Sequence, residues 1–160
     1  MVRSPRTQRV LLAAFAAMLA VGGAAFASTA GAQLAWQERD AVDVDPADYE
    51  VVDGEPPTIR VTVAVSNPTG AAVTVEPSAF VVFEGNATEA DRLSAPRTAR
   101  LAGDRAAVTV PAGGTATVTV VADVPPERLD RTRAAVAEGR VVSSGSFRLT
   151  IRGRSDFIDV

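Results

Sequence analysis

Residues 59–75 read Ile59-Arg-Val-Thr-Val-Ala-Val-Ser-Asn-Pro-Thr-Gly-Ala-Ala-Val-Thr-Val75, and this stretch indicates the fold. Apolar and polar residues alternate on both sides of the segment Asn67-Pro68-Thr69-Gly70. Such alternation is typical of a β-strand with one buried and one solvated face. The four-residue segment predicts a turn, because Pro fixes φ, Gly accepts positive φ and Asn can hydrogen-bond to nearby backbone. The stretch therefore predicts two antiparallel strands, with a structural role for the four turn residues.

The same alternation recurs along the chain and predicts an all-β domain. In the segment 58–66 one face carries Ile59, Val61, Val63 and Val65, and in the segment 146–152 the inward residues are Phe147, Leu149 and Ile151. We expect strands at 49–52, 58–66, 72–76, 79–83, 106–110, 115–124, 146–152 and 156–160, with a short one near 99–101.

One helix is predicted late in the chain. Residues 127–138 are good helix formers, with Pro126 at the first helical position and Gly139 as the stop. About seven short antiparallel strands with one such helix are typical of an immunoglobulin- or fibronectin-III-like β-sandwich. We expect Ser143-Ser144-Gly145-Ser146 to form a turn.

The N-terminus predicts a targeting or anchoring segment. Three arginines, Arg3, Arg6 and Arg9, precede a run from residue 10 to residue 27 that has no charged or strongly polar residue. Eighteen residues make a helix of about 27 Å, close to a hydrocarbon core of about 30 Å. A basic flank stays on the cytoplasmic side, so the rest of the chain is expected outside.

Two outcomes for this segment fit the sequence. Small residues at the required spacing allow cleavage of a signal peptide after Ala27 or after Ala32. An uncleaved segment would instead be a membrane anchor, with Trp36 at the outer interface. The expected organisation is a signal peptide or anchor at 1–36, an acidic tether at 37–48 and the sandwich at 49–160. The protein is accordingly expected to face outside on a membrane, or to be secreted.

Composition excludes several kinds of chemistry. The chain contains neither His nor Cys, so the usual general base, thiol nucleophiles, thiolate zinc sites and disulfides are excluded. Beyond the first nine residues, thirteen arginines stand against nineteen acidic residues, a net charge of −6. That charge argues against a nucleic-acid partner. We expect no enzyme activity, no cofactor and no metal.

The order of these motifs resembles a known family. The alternating strand, the Asn67-Pro68 turn, the Val-Pro-Ala-Gly-Gly-Thr turn at 110–115, the late helix and the final hairpin resemble the water stress and hypersensitive response (WHy) domain of late embryogenesis abundant type 2 proteins. Members share an Asn-Pro-Asn-like turn, and Thr69 here takes the third place. The likeness covers about residues 51–160. It implies a seven-stranded sandwich, a link to desiccation or stress tolerance, and no catalytic residues.

Other candidate sites are less specific. The acidic residues Asp43, Asp45, Asp48 and Glu50 could gather around Ca²⁺, but Pro46 and Gly54 break the EF-hand pattern, so a solvated tether is favoured. Asn86-Ala87-Thr88 is a glycosylation sequon on a predicted exported loop.

Two groups of charged residues also have an ordinary explanation. Glu84, Glu89 and Asp91 lack the aromatic platform expected in a glycosidase cleft. The arginines around the late helix, Arg128, Arg131, Arg133 and Arg140, could contact acidic lipid headgroups or the domain's own carboxylates. Acidic residues are interleaved with them, which favours local ion pairs.

Two functions are compatible with these sequence patterns. The first is a non-enzymatic, exported or membrane-anchored sandwich of the stress-protective type. The alternative is an immunoglobulin-like interaction module of a cell-envelope or secretion assembly. A helix packed across one open end of the sandwich would favour the first function.

Overall fold

The computed structural model describes residues 5–103 and 105–160. Among these residues the chain forms two α-helices, α1 (Pro5–Gln37) and α2 (Leu129–Ala137), and ten strands. The strands are β1 (Asp43–Val52), β2 (Thr58–Asn67), β3 (Val73–Pro77), β4 (Val81–Glu84), β5 (Arg100–Leu101), β6 (Val108–Val110), β7 (Gly114–Asp123), β8 (Val141–Ser144), β9 (Ser146–Ile151) and β10 (Arg154–Asp159).

The strands form a β-sandwich of two antiparallel four-stranded sheets. Sheet A has the strand order β1-β2-β7-β5, and sheet B has the order β10-β9-β3-β6. A two-stranded ribbon pairs β4 with β8. The predicted all-β sandwich with an N-terminal apolar helix and a late helix is confirmed, whereas the expected count of about seven strands is wrong.

The core lies between the inner faces of the two sheets. The inward residues predicted from alternation in β2 and β9 are all buried. Phe80 and Phe147 meet edge to face, with ring centroids 5.7 Å apart. The largest fully buried side chains are Phe80, Phe147, Ile59, Leu93, Leu149, Ile151, Val61, Val63, Val65, Val73, Val75 and Val82.

The ribbon of β4 and β8 accounts for the strand that the sequence did not predict. Residues 143–146 are not a turn: Ser143 and Ser144 belong to β8 and Ser146 begins β9, with Gly145 between them. The backbone amides of Ser78 and Ala79 both donate to the carbonyl of Ser146, at 2.9 and 3.2 Å. Hydrogen bonding between these two segments of the chain therefore continues past Gly145.

The first strand begins earlier than predicted and replaces the second half of the expected tether. β1 starts at Asp43, where it pairs with Ser66 of β2, and Val44 is 6% exposed. The register shifts between Pro46 and Asp48. Proline is tolerated there because β1 is an edge strand and the shift marks a bulge. An edge strand with acidic side chains on its exposed face has a sequence similar to that of an acidic tether.

Helix α1 and a short 3₁₀ turn (Arg39–Ala41) occupy the first half of that segment. The helix has 33 residues, or about 50 Å. Residues 9–29 are exposed, whereas Ala35 is fully buried against the sandwich. The stretch Arg9–Gln37 is long and apolar enough to cross a membrane, with a mean hydropathy of 2.3. A helix thus leads directly into the sandwich without a tether.

Candidate functional site

The predicted turn motif is a buried polar network that joins two turns. Asn67 is fully buried, and its carboxamide nitrogen donates to the carbonyls of Ala71 (2.9 Å), Val110 (3.2 Å) and Pro111 (2.8 Å). Its carboxamide oxygen accepts bonds from the amide and the hydroxyl of Thr69, at 3.1 and 2.8 Å. The turn between β2 and β3 is thereby tied to the turn between β6 and β7.

The other residues of the motif complete this arrangement. Thr69 is 1% exposed, its hydroxyl oxygen also lies 3.1 Å from the carbonyl of Ala71, and its carbonyl accepts from the amide of Gly113 at 3.1 Å. Pro68 and Gly70 are exposed at the tip. Every donor and acceptor of the two buried side chains has a protein partner, which leaves no free polar group for a ligand. The geometry therefore assigns the motif to structure.

A second cluster joins α1 to the sandwich. Two guanidinium groups lie over the ring of Trp36, with Arg39 5.2 Å and Arg154 5.0 Å from its centroid. The Nε of Arg39 donates to a carboxylate oxygen of Asp156 at 2.6 Å. We call Trp36, Arg39, Arg154 and Asp156 the helix joint. Trp36 and Arg39 lie more than 100 positions before the other two residues in the chain, so no local sequence pattern groups the four.

The helix joint changes the ionisation of its carboxylate. The hydrogen bond from Arg39 lowers the pKa of Asp156 below its ordinary value, and the backbone amide of Phe157 adds to this effect. The same hydrogen bond raises the pKa of Arg39. The ion pair is thus present at neutral pH.

Trp36 therefore packs on protein. It lies nine residues beyond Ala27, or about 14 Å along the helix. The indole contacts the guanidinium groups of Arg39, in the 3₁₀ turn, and Arg154, in β10.

A crevice of about 390 Å³ separates α1 from the turns of the sandwich. The helix contributes small residues, and the sandwich contributes the tips of the two tied turns together with Arg152. The lining residues are Ala27, Ser28, Gly31, Ala32, Gly70, Ala71, Ala72, Pro111, Ala112 and Arg152. This end of the sandwich is the one that faces the apolar part of α1.

The arginines around α2 pair with the domain's own carboxylates. Glu84 at the end of β4 binds Arg131 and Arg140. The hydrogen bond from Arg131 has the larger effect in lowering the pKa of Glu84, followed by the hydrogen bond from Arg140. Arg133 lies 2.5 Å from Asp53. Arg131 also contacts Asp91, at 3.3 Å. Local ion pairing, the favoured interpretation, accounts for these three arginines, and Arg128 donates to the carbonyl of Arg92.

The acidic residues predicted as a tether are arranged along β1. Asp43 and Asp45 are exposed on the same face, and a hydrogen bond and charge repulsion from Asp43 raise the pKa of Asp45. Within residues 9–103 and 105–160, no group of three or more acidic residues is arranged to hold a metal ion.

The remaining candidates are bound to other side chains or exposed to solvent. Asn86 is exposed just after β4, with Thr88 bonded to Asp91 at 2.6 Å, so the sequon is accessible. Glu89 pairs with Arg92, and Glu84 and Asp91 share Arg131. Ser143 meets the hydroxyl of Tyr49 at 3.1 Å. The structure does not bring these residues together into a common cleft.

Comparisons with known proteins identify no family. No protein-family model matches the chain, and no curated protein matches it in sequence at a significant level. A crystal structure of a protein from Archaeoglobus fulgidus is similar at 12% identity and a TM-score of 0.47, covering 74% of this chain and 90% of its own.

Two further solved structures are similar at a lower level. The ASH/PapD-like domain 7 of human CEP192 has 11% identity and a TM-score of 0.39, covering 74% of this chain and 79% of its own. A FixG-related protein from Vibrio parahaemolyticus has 14% identity and a TM-score of 0.33, covering 72% and 94%. Likenesses at this level do not identify a family or a function.

Proposed function

We propose that this chain is a non-enzymatic protein held on the outer face of a membrane by α1, and that its sandwich acts there as an interaction module. The observation that carries the proposal is the exposed apolar surface of α1. Leu12 and Phe15 are each 61% exposed, Met18 is 73% exposed and Phe26 is 75% exposed. An apolar surface of this extent is unfavourable in water and is satisfied by lipid.

The way α1 ends supports a retained anchor. The helix continues through both candidate cleavage sites, and Ala32 is half-buried in the crevice against the sandwich. The fully buried Ala35 and the joint at Trp36 follow within one turn. Cleavage after Ala32 would remove residues of α1 that pack on the folded domain.

An edge of the sandwich supports the interaction role. β10 is the edge strand of sheet B and pairs only with β9. Phe157 in this strand is 55% exposed, with the Arg148 guanidinium 5.6 Å from its ring. An edge strand can accept an extended segment from another protein, and an exposed aromatic side chain adds apolar contact. An envelope protein is the class of partner that fits this location.

The anchor is tested by mass spectrometry of the mature chain from fractionated cells. We expect an intact N-terminus, at Met1 or Val2, in the membrane fraction. An N-terminus at Ser28 or Gln33 in the soluble fraction would contradict the anchor.

The orientation is tested by labelling, because the natural chain contains no cysteine. A membrane-impermeant maleimide applied to intact cells should label a Thr115→Cys variant, whose position on β7 is exposed. A Ser4→Cys variant should react only after lysis. Labelling of the Ser4→Cys variant in intact cells would reverse the proposed orientation.

We infer a second candidate function, protection during water loss, from the position of α2. The helix buries Thr132 and Ala135 and packs against β1, and Arg133 reaches Asp53 just beyond the end of that strand. A late helix packed against the sandwich is a feature that the resemblance to the WHy domain includes, and it supports this candidate. Vesicles carrying the full chain should leak less after drying and rehydration than vesicles carrying an unrelated anchored sandwich. Equal leakage would contradict protection and leave the interaction module.

A further inference from the structure

We propose that the end of the sandwich beside α1 is a membrane-contacting surface that binds anionic phospholipid headgroups through Arg152 and Arg154. The proposal rests on the membrane anchor proposed above and deepens it by naming the surface and the lipid class. We call the tips of the turns at 70–72 and 111–113, together with the β9–β10 turn, the proximal end.

The first supporting observation is where the sandwich lies along α1. The run without charged or strongly polar residues ends at Ala27, before Ser28 and Thr29, and the crevice between helix and sandwich begins at the same residue. Eighteen residues of helix span about 27 Å of a hydrocarbon core of about 30 Å. When that run fills the core, no helical turn remains between the bilayer and the sandwich. The proximal end therefore lies at the level of the headgroups.

The second supporting observation is the charge of Arg152 and Arg154. Arg152 and Arg154 are exposed, and neither forms an ion pair with a carboxylate that the structure describes, although most other arginines of the sandwich do. Arg154 contacts the Trp36 ring and, at 3.5 Å, the side-chain oxygen of Gln33. Guanidinium groups stay charged and bind phosphate through two parallel hydrogen bonds. Two unneutralised cations on a domain of net negative charge match an anionic surface.

The third supporting observation is the backbone conformation of Arg152. Arg152 has a φ of 46°, in the left-handed region, and is followed by Gly153 with a φ of 81°. Turns of this kind favour Asn or Gly at the first position, so an arginine there is held against its local preference. Such an outlier is a reasonable pointer to function. The neighbouring tip residues Ala72, Pro111 and Ala112 are exposed and uncharged, so they can approach the bilayer without burying charge.

The test uses the full chain in lipid nanodiscs. A dye is attached at an Ala112→Cys substitution, and a nitroxide on the lipid headgroup quenches it at short range. We expect stronger quenching in discs that contain phosphatidylglycerol than in discs of phosphatidylcholine alone, and a loss of the difference at high salt. Arg152→Gln and Arg154→Gln should each weaken the headgroup-bound population about fivefold.

The chain offers a matched control at its other end. Arg97 is also exposed, has a φ of 62° and forms no ion pair with a described carboxylate. It lies near Ala95, whose amide donates to the carbonyl of Asp123 at the far end of β7, about 30 Å from Gly114. Arg97→Gln should leave the quenching unchanged, and a dye at a Glu127→Cys substitution should stay unquenched.

The outcomes separate this surface from the anchor. Equal quenching in the two lipids, or arginine variants that quench like the parent in discs holding the intact chain, would overturn the lipid surface and leave the anchor standing. A chain cleaved at Ser28 or Gln33 in cells would overturn both.

Discussion

At the scale of the residue, Asn67 shows how one buried polar side chain holds two turns together. A buried amide must be hydrogen-bonded, since an unpaired polar group is costly to desolvate. The sequence predicts the turn at 67–70 from local chemistry. It does not predict the bonds to Val110 and Pro111, because those partners lie more than 40 positions away.

Replacing Asn67 with alanine should destabilise the fold by about 2–3 kcal/mol, because buried carbonyls of both turns lose their donor. Denaturant unfolding of the full chain in detergent measures the change. Asn86→Ala is the matched control: its side chain is exposed, and the free energy of unfolding should change by about 0.5 kcal/mol or less. Equal unfolding curves for the two variants would contradict the structural role of Asn67.

At the scale of the element, the junction between β8 and β9 depends on Gly145. Its φ is 152°, and a Cβ at this position would overlap the carbonyl oxygen of Ala79 and lie 2.7 Å from the Cα of Phe80. Both atoms belong to backbone next to the paired strands, so neither can move aside cheaply. Serines around this glycine suggest a turn in sequence, but the close approach of another segment keeps the chain extended.

Gly145→Ala should therefore destabilise the sandwich by about 3 kcal/mol or more, through overpacking against backbone. Thermal unfolding followed by circular dichroism provides the measurement. Gly70→Ala is the control, because Gly70 has no positive φ and nothing lies within 4 Å of the added Cβ. If both variants melt at the same temperature, the close approach at Ala79 is not a constraint on the fold.

At the scale of the whole molecule, the helix joint decides how the sandwich is presented. Trp36 contacts the guanidinium groups of Arg39 and Arg154, and Asp156 on edge strand β10 binds Arg39. A flexible acidic tether would let the domain move away from the membrane. In the anchored arrangement proposed above, a helix that runs into a packed joint would instead hold one end of the sandwich next to the bilayer.

Asp156→Ala should loosen this joint and broaden the distance between spin labels placed at Leu19→Cys on α1 and Thr115→Cys on β7. Acid should do the same in the parent chain. Because the joint lowers the pKa of Asp156, its stabilisation is complete above the ordinary value of about 3.9 and is lost as the pH falls through the lower value. Asp159→Ala, on the same strand and exposed, should keep a narrow distribution.

The joint would be refuted by a parent chain whose distance distribution at neutral pH is as broad as that of Asp156→Ala. A distribution that stays equally narrow in the parent after Asp156 is protonated by acid would contradict the contribution of the Arg39–Asp156 ion pair.

The sequence by itself determined the features that depend on neighbours along the chain. Alternation in residues 59–75 determined two strands and their buried face, and Pro126 and Gly139 bracketed the region of α2, because burial on one face and backbone preference act locally. The uncharged run behind three arginines likewise determined a segment suited to lipid.

Only the tertiary structure decided the features that depend on contacts between distant parts of the chain. It turned the acidic segment into edge strand β1, revealed β8 beside β4, paired the arginines of α2 with carboxylates, and placed Arg152 beside Ala27. These contacts join residues tens of positions apart, and their energies depend on distance in space, which no local pattern of residue types records.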